Sequence, residues 1–277
     1  MAYKFLLICL MAVPAKALDD TKECKPILYD GKYHSEQLVK TDIYKPSSLA
    51  VDRKTNTLYY SYIHRTKEIT YKTAKVNLRT KEYVELDVNN GFSITVDEKH
   101  HVAYIGGYKG VYKYNERSNK GHLIIPGVNI WNVFYKNALY YIEFLSQKIY
   151  KYQDGKSIPF GELSEIKVYY FVIDDENYMV YSNGTGIYGK QMGTKDTITY
   201  KKFDSVDIVR DITLDRNGKV YIATNEGIYR VNKVHENLEK VLEVQEAYGM
   251  AFDGENHLIY SKEDAVIRLV PQDCIQD

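Results

Sequence analysis

Six side chains stand at one offset, five residues ahead of a recurring turn signal: Ser47, Phe92, Trp131, Tyr169, Arg210 and Tyr248. Four are aromatic rings, one is a guanidinium and one a hydroxyl. Brought to a single place, they suit a planar, conjugated, anionic ligand. The rings would stack on its faces and Arg210 would pair with a carboxylate or sulfate. The same set could instead pack against itself and plug a central channel, and the sequence leaves both arrangements open. A one-residue slip in the third copy would also exchange Trp131 for Asn132 or Ile130.

Other familiar chemistry is absent. The chain has no G-x-S-x-G, no H-E-x-x-H and no Walker loop, so no catalytic residues are assigned. Gly184-Thr185-Gly186-Ile187-Tyr188-Gly189 satisfies G-x-G-x-x-G but lies between two strands, with no helix to receive a phosphate. His100 and His101 are adjacent in a polar turn and the remaining histidines are scattered, which predicts no metal site. Asn183-Gly184-Thr185 is the one N-x-[ST] sequon and is expected to carry a glycan.

The elements that must position these residues follow from a repeat. In the stretch Val209 to Asn232 an alternating run ends at Asp215, turns at Asn217-Gly218, returns through Val220 and Ile222, and starts again at Gly227-Ile228-Tyr229. That is a β-meander by period-two patterning and turn chemistry. Six copies of it occupy the chain, five marked by an aspartate (Asp52, Asp97, Asp174, Asp215, Asp253) and the third by Lys136. The marks fall about 40 residues apart, the spacing of four-stranded propeller blades. The predicted fold class is all-β: a six-bladed β-propeller, each blade a four-stranded antiparallel meander. Two and four residues before the mark stand mostly small residues (Ala50 and Ser48, Thr95 and Ser93, Thr213 and Asp211, Ala251 and Gly249), as crowded innermost strands require. The sixth copy ends after three strands. Its fourth is expected from the N-terminus, with Glu36 to Thr41 pairing along Ala265 to Val270.

The chain ends set its compartment. Residues 1–17 have Lys4, an apolar core from Phe5 to Val13, and small residues at Ala15 and Ala17, the pattern of a secretory signal peptide. The mature propeller domain then spans 18–277. It retains Cys24 and Cys274, an even count in an oxidising compartment, which predicts a disulfide locking the seam of the ring. No later apolar run is long enough to span a membrane. A net charge of +0 gives no electrostatic case for nucleic acid or anionic membrane as a partner. A monomer is expected. The 28 tyrosines are read mainly as sheet formers, as at Tyr59, Tyr104, Tyr140, Tyr181, Tyr221 and Tyr260 on equivalent second strands.

Taken together, the signal peptide, an early Cys24, the strings Ser47-Ser48-Leu49-Ala50-Val51-Asp52 and Asn56-Thr57-Leu58-Tyr59-Tyr60-Ser61-Tyr62, six tyrosine-rich repeats and a final Cys274 resemble the ommochrome-binding proteins of lepidopteran haemolymph. The resemblance implies a secreted, non-enzymatic haemolymph carrier with no cofactor other than a bound chromophore, a tryptophan-derived pigment. It brings no motif of binding residues. Two other classes remain. Six-bladed lactonases similar to regucalcin and gluconolactonase hold calcium or zinc with one Glu, two Asn and one Asp. Arg210 stands where that group has the metal-binding aspartate, and a cation there repels the ion. An extracellular protein-interaction propeller is the third class.

Overall fold

The computed structural model describes residues 26–65, 68–88, 90–204 and 208–271. Five four-stranded antiparallel meanders occupy residues 44–85, 91–126, 130–159, 170–202 and 209–242, and three strands of a sixth occupy 250–271. The one helical element among the described residues is a single 3₁₀ turn, Gly161–Leu163, between blades three and four. Both the signal peptide and the Cys24–Cys274 pair lie outside the described residues.

The closing strand forms as predicted, and is longer. β1 (Ile27–Tyr29) and β2 (Lys32–Lys40) make an N-terminal hairpin, and β2 pairs antiparallel with Val266–Pro271, placing Glu36 opposite Leu269. Thr41 falls beyond the pairing. Glu36 accepts hydrogen bonds from Tyr260 Oη and from Lys262 Nζ at 2.9 Å, tying the borrowed strand to its blade. β1 was not expected. Tyr29 pairs with Leu242 on the outer edge of blade five, and Asp30 meets Arg230 at 2.7 Å. The hairpin thereby joins blades five and six into one nine-stranded sheet. Ile27 and Pro271 both pair with His34, so the first and last described strands meet at the seam.

The repeated aspartates hold the turns and the blades together. All five are buried, and each Oδ1 accepts backbone N–H groups of its own turn: Asp215 takes those of Asn217 and Lys219 at 2.8 Å, while Gly218 supplies the positive φ of +75°. The second oxygen reaches outward. Asp52 bonds His101 of the next blade at 2.8 Å, Asp215 bonds Asn256 at 3.2 Å, and Asp174 pairs with Lys233. Where the third copy has Lys136, its ammonium crosses to Asp175 at 3.0 Å and to the Asp174 carbonyl. His100 bonds Asp97 at 2.7 Å, so the two adjacent histidines serve different aspartates.

The small innermost residues do more than relieve crowding. Ser48 Oγ accepts the N–H of Ile94 at 2.7 Å, Ser93 Oγ that of Val133 at 2.9 Å, Thr95 Oγ1 that of Tyr135 at 3.0 Å, and Asp211 Oδ2 that of Met250 at 3.0 Å. Each bond links one inner strand to the next around the channel. The core lies between blades, where the second-strand tyrosines meet the following blade: Tyr221 is 4.7 Å from Phe252 and Tyr140 5.8 Å from Phe171, ring centre to ring centre. The glycine motif resolves as packing within a hairpin. A Cβ on Gly189 would come within 2.1 Å of the Tyr178 hydroxyl, which is hydrogen-bonded to Tyr200 at 2.8 Å.

Candidate functional site at the channel mouth

The inner strands begin at one face of the ring, and there a cavity of about 310 Å³ opens. Five of the six predicted residues line it: Ser47, Phe92, Trp131, Arg210 and Tyr248. The rings therefore border a space and do not fill the channel. In blade four the lining residue is Tyr170, and Tyr169 lies in an adjoining cavity, its ring centre 6.4 Å from that of Trp131. The strand ladders slip by one residue at Phe92, Trp131 and Arg210, between the pairs Gly91/Ser93, Ile130/Asn132 and Val209/Asp211. Blade four pairs without a slip from Tyr170 onward, as blade six does from Met250, and in blade four the residue after the predicted one lines the mouth.

The lining divides into an aromatic and a cationic sector. Phe92 packs on Tyr71 and Tyr108 at 5.3 and 5.2 Å, and Trp131 on Phe144 and Tyr170 at 5.7 and 6.3 Å. Tyr248 stands apart from those rings. Arg210 and Lys45 lie over its ring at 5.2 and 5.4 Å, and its hydroxyl donates to Glu246 at 2.8 Å. Sequence reasoning missed Lys45 and Tyr71, named Asn132 only as the alternative to Trp131, and gave Asp211 an inner-strand place but no part in the mouth that all four line. Asn132 and Asp211 follow two of the predicted residues directly, a signal that strand irregularity could have supplied; Lys45 and Tyr71 left none.

Asp211 lies where the mouth meets a narrower channel space of about 150 Å³. Burial pushes its carboxyl up to about 7, although the N–H groups of Met250 and Ile212 favour the charged form. Burial also raises the Tyr170 phenol, with the Asp211 charge adding and Arg210 opposing, so that phenol stays a donor at neutral pH. Because the folded state holds the Asp211 proton more tightly than the unfolded chain, stability should fall as pH rises from about 4 to about 7 and level off above. Asp211→Asn should flatten that slope and raise the melting temperature at pH 8 without changing it at pH 4. Parallel melting-versus-pH curves for the two proteins would refute this.

The opposite end of the channel is latched by ion pairs between neighbouring blades. Arg53 Nε donates to both oxygens of Glu98 at 2.8 and 2.9 Å, Lys136 pairs with Asp175, and Arg216 donates to the Gly254 carbonyl at 2.6 Å. Among the described residues one cluster has metal-ligand types, Asp253, Glu255 and His257, with donor atoms within 4.8 Å. Arg268 already bonds all three, at 2.6, 3.0 and 2.9 Å. Asn183 sits at a hairpin end on the mouth face, its Oδ1 accepting from Thr185 N and Oγ1 at 2.8 Å and from Gly186 N at 3.1 Å.

Fold and site together define a six-bladed β-propeller with an aromatic, cation-flanked mouth at one end. Among solved structures, a gluconolactonase from Xanthomonas campestris superposes with a TM-score of 0.71 at 12% identity, covering 89% of this chain and 95% of its own. The WD40 propeller of Doa1 (0.59, 15% identity, 91% and 98% covered) and a streptogramin B lyase (0.56, 11%, 87% and 98%) share the architecture. At those identities the likeness is one of fold. No family model matches the sequence. In sequence, the chain is 27% identical to the ommochrome-binding protein of Manduca sexta over 278 residues, covering 98% of this chain and 99% of that protein. That end-to-end likeness supports the resemblance to the insect ommochrome-binding proteins read from the sequence.

Proposed function

We propose that the protein is a secreted, non-enzymatic carrier that binds a planar, acidic, ommochrome-type pigment at the channel mouth. The observation that carries this reading is the open cavity bordered by Phe92, Trp131 and Tyr170 on one side and by Arg210 and Lys45 on the other. The name of the end-to-end relative supports the ligand class. Among the described residues no helix is long and apolar enough to cross a membrane. Lactone hydrolysis finds less support: Asn132 and Asp211 offer oxygen donors at the mouth, but Arg210 beside them repels a divalent ion.

Trp131 is the single tryptophan, so its fluorescence reports on one place. Titrating an ommochrome pigment into ligand-free protein should quench it in step with binding measured by ultrafiltration. Binding without quenching would move the site elsewhere. No binding, together with turnover of lactones in calcium or zinc, would replace the carrier by an enzyme. Secretion has its own test in the intact mass of the protein from its source. It should lack residues 1–17, gain a glycan at Asn183, and fall by two hydrogens for a Cys24–Cys274 bridge. An unprocessed N-terminus would refute secretion through this leader.

A further inference from the structure

Beside the mouth, between blades four and five, lies a second cavity of about 550 Å³. Trp131, Tyr170 and Arg210 border both spaces, so the two are lobes of one site. The lobe's other walls are Tyr169, Phe203, Ile208 and Val209, with Ser182, Asn183 and Gly184 at the hairpin end. Asp204 is the acidic group on this wall and has a partner of its own.

Three buried polar atoms have no hydrogen-bond partner here: Trp131 Nε1, Arg210 Nε and Ser182 Oγ, each on a residue that lines the lobe. Ser182 itself is only 1% exposed. Its strand, Tyr178–Asn183, pairs with the inner strand at Tyr170, and its carbonyl accepts the Tyr169 N–H at 2.9 Å, which fixes the residue beside both tyrosines. A buried polar atom left unpaired costs about 1–3 kcal/mol, so a ligand group that reached and satisfied those on the residues lining this one cavity would be held there. An indole N–H and a guanidinium Nε–H can only donate, and a serine hydroxyl can rotate to donate. Their shared complement is an oxygen acceptor with several lone pairs, and the guanidinium charge selects an anion.

We propose that this lobe is a carboxylate subsite, in which Ser182 Oγ, Trp131 Nε1 and Arg210 Nε bind the acidic group of an aromatic acid. The ring system of the ligand then lies toward the mouth, against Trp131 and Tyr170. The identity of the natural ligand rests on the carrier reading above; the chemistry of the lobe does not.

Calorimetric titration of naphthalene-2-carboxylate and of naphthalene-2-methanol into the wild-type protein and Ser182→Ala tests the assignment. Wild type should prefer the carboxylate at least tenfold. Ser182→Ala should weaken carboxylate binding roughly five- to tenfold and leave the alcohol unchanged. Removing an unpaired hydroxyl should not lower the melting temperature of the free variant, so it folds. Ser118→Ala, in an exposed turn of blade two, should leave the preference intact. An unaltered preference in Ser182→Ala, no preference in wild type, or no binding of the carboxylate at millimolar concentration overturns the subsite. If pigment still binds and quenches Trp131 in that event, the carrier reading stands alone. Discrimination by Ser182 without any pigment binding would keep the subsite and remove the carrier.

Discussion

An Asp253→Ala variant should unfold about 10 °C below the wild-type protein, a loss of roughly 3–5 kcal/mol. Asp253 is 0% exposed and receives three donors: the backbone N–H groups of Glu255 and His257 at 2.9 Å and Arg268 Nε at 2.6 Å. Alanine releases the turn and leaves Arg268 facing Glu255 alone. The damage falls on the blade that closes the ring, because Arg268 lies opposite Gln37 of β2. Asp253→Asn keeps an acceptor for the turn and should lose about half as much. Asp175→Ala is the control. That carboxylate is 86% exposed in its pair with Lys136, and such pairs contribute under about 1 kcal/mol. Equal melting temperatures for Asp253→Ala and Asp175→Ala would show that the buried aspartates are not what latches the blades.

The second large effect concerns binding. Arg210→Ala should weaken an anionic aromatic ligand by roughly 10- to 150-fold, the equivalent of about 1.5–3 kcal/mol for a charge-assisted hydrogen bond. Arg210 has little that competes for its charge: Glu246 is 4.0 Å away and half exposed, and the remaining contact is the Tyr248 ring. Its half-buried position keeps solvent from screening the pair. Arg210→Lys retains the charge but not the planar fork, and should recover part of the affinity. The wild-type affinity should fall with added salt, and that of the alanine variant much less. An unchanged dissociation constant in Arg210→Ala would remove this residue from the site, and with it the argument for an acidic ligand.

Much of the architecture was legible because its causes are local. Alternation of apolar and polar residues, the Asp-led turns and the 40-residue period each act over a few residues, and together they give six blades and a missing fourth strand. The partner for that strand could be read because only the N-terminus was left over. β1 could not: three residues, Ile27–Tyr29, carry too little pattern, and their place is set by the edge of blade five, far away in sequence.

The site divides along the same line. Sequence offset alone put Phe92, Trp131, Arg210, Tyr248 and Ser47 at the mouth, because equivalent positions in repeated blades share one end of the ring. It failed at Tyr169, where the next residue, Tyr170, lines the mouth, because which of two successive residues faces the space is set by packing against the neighbouring strands and blades. Lys45, Tyr71 and Ser182 reach the same cavities from other strands, at offsets no repeat predicts. The raised pKa of Asp211 was likewise beyond the sequence, where it reads as an ordinary carboxylate; only closure of the inner strands around it supplies the burial that disfavours its charge.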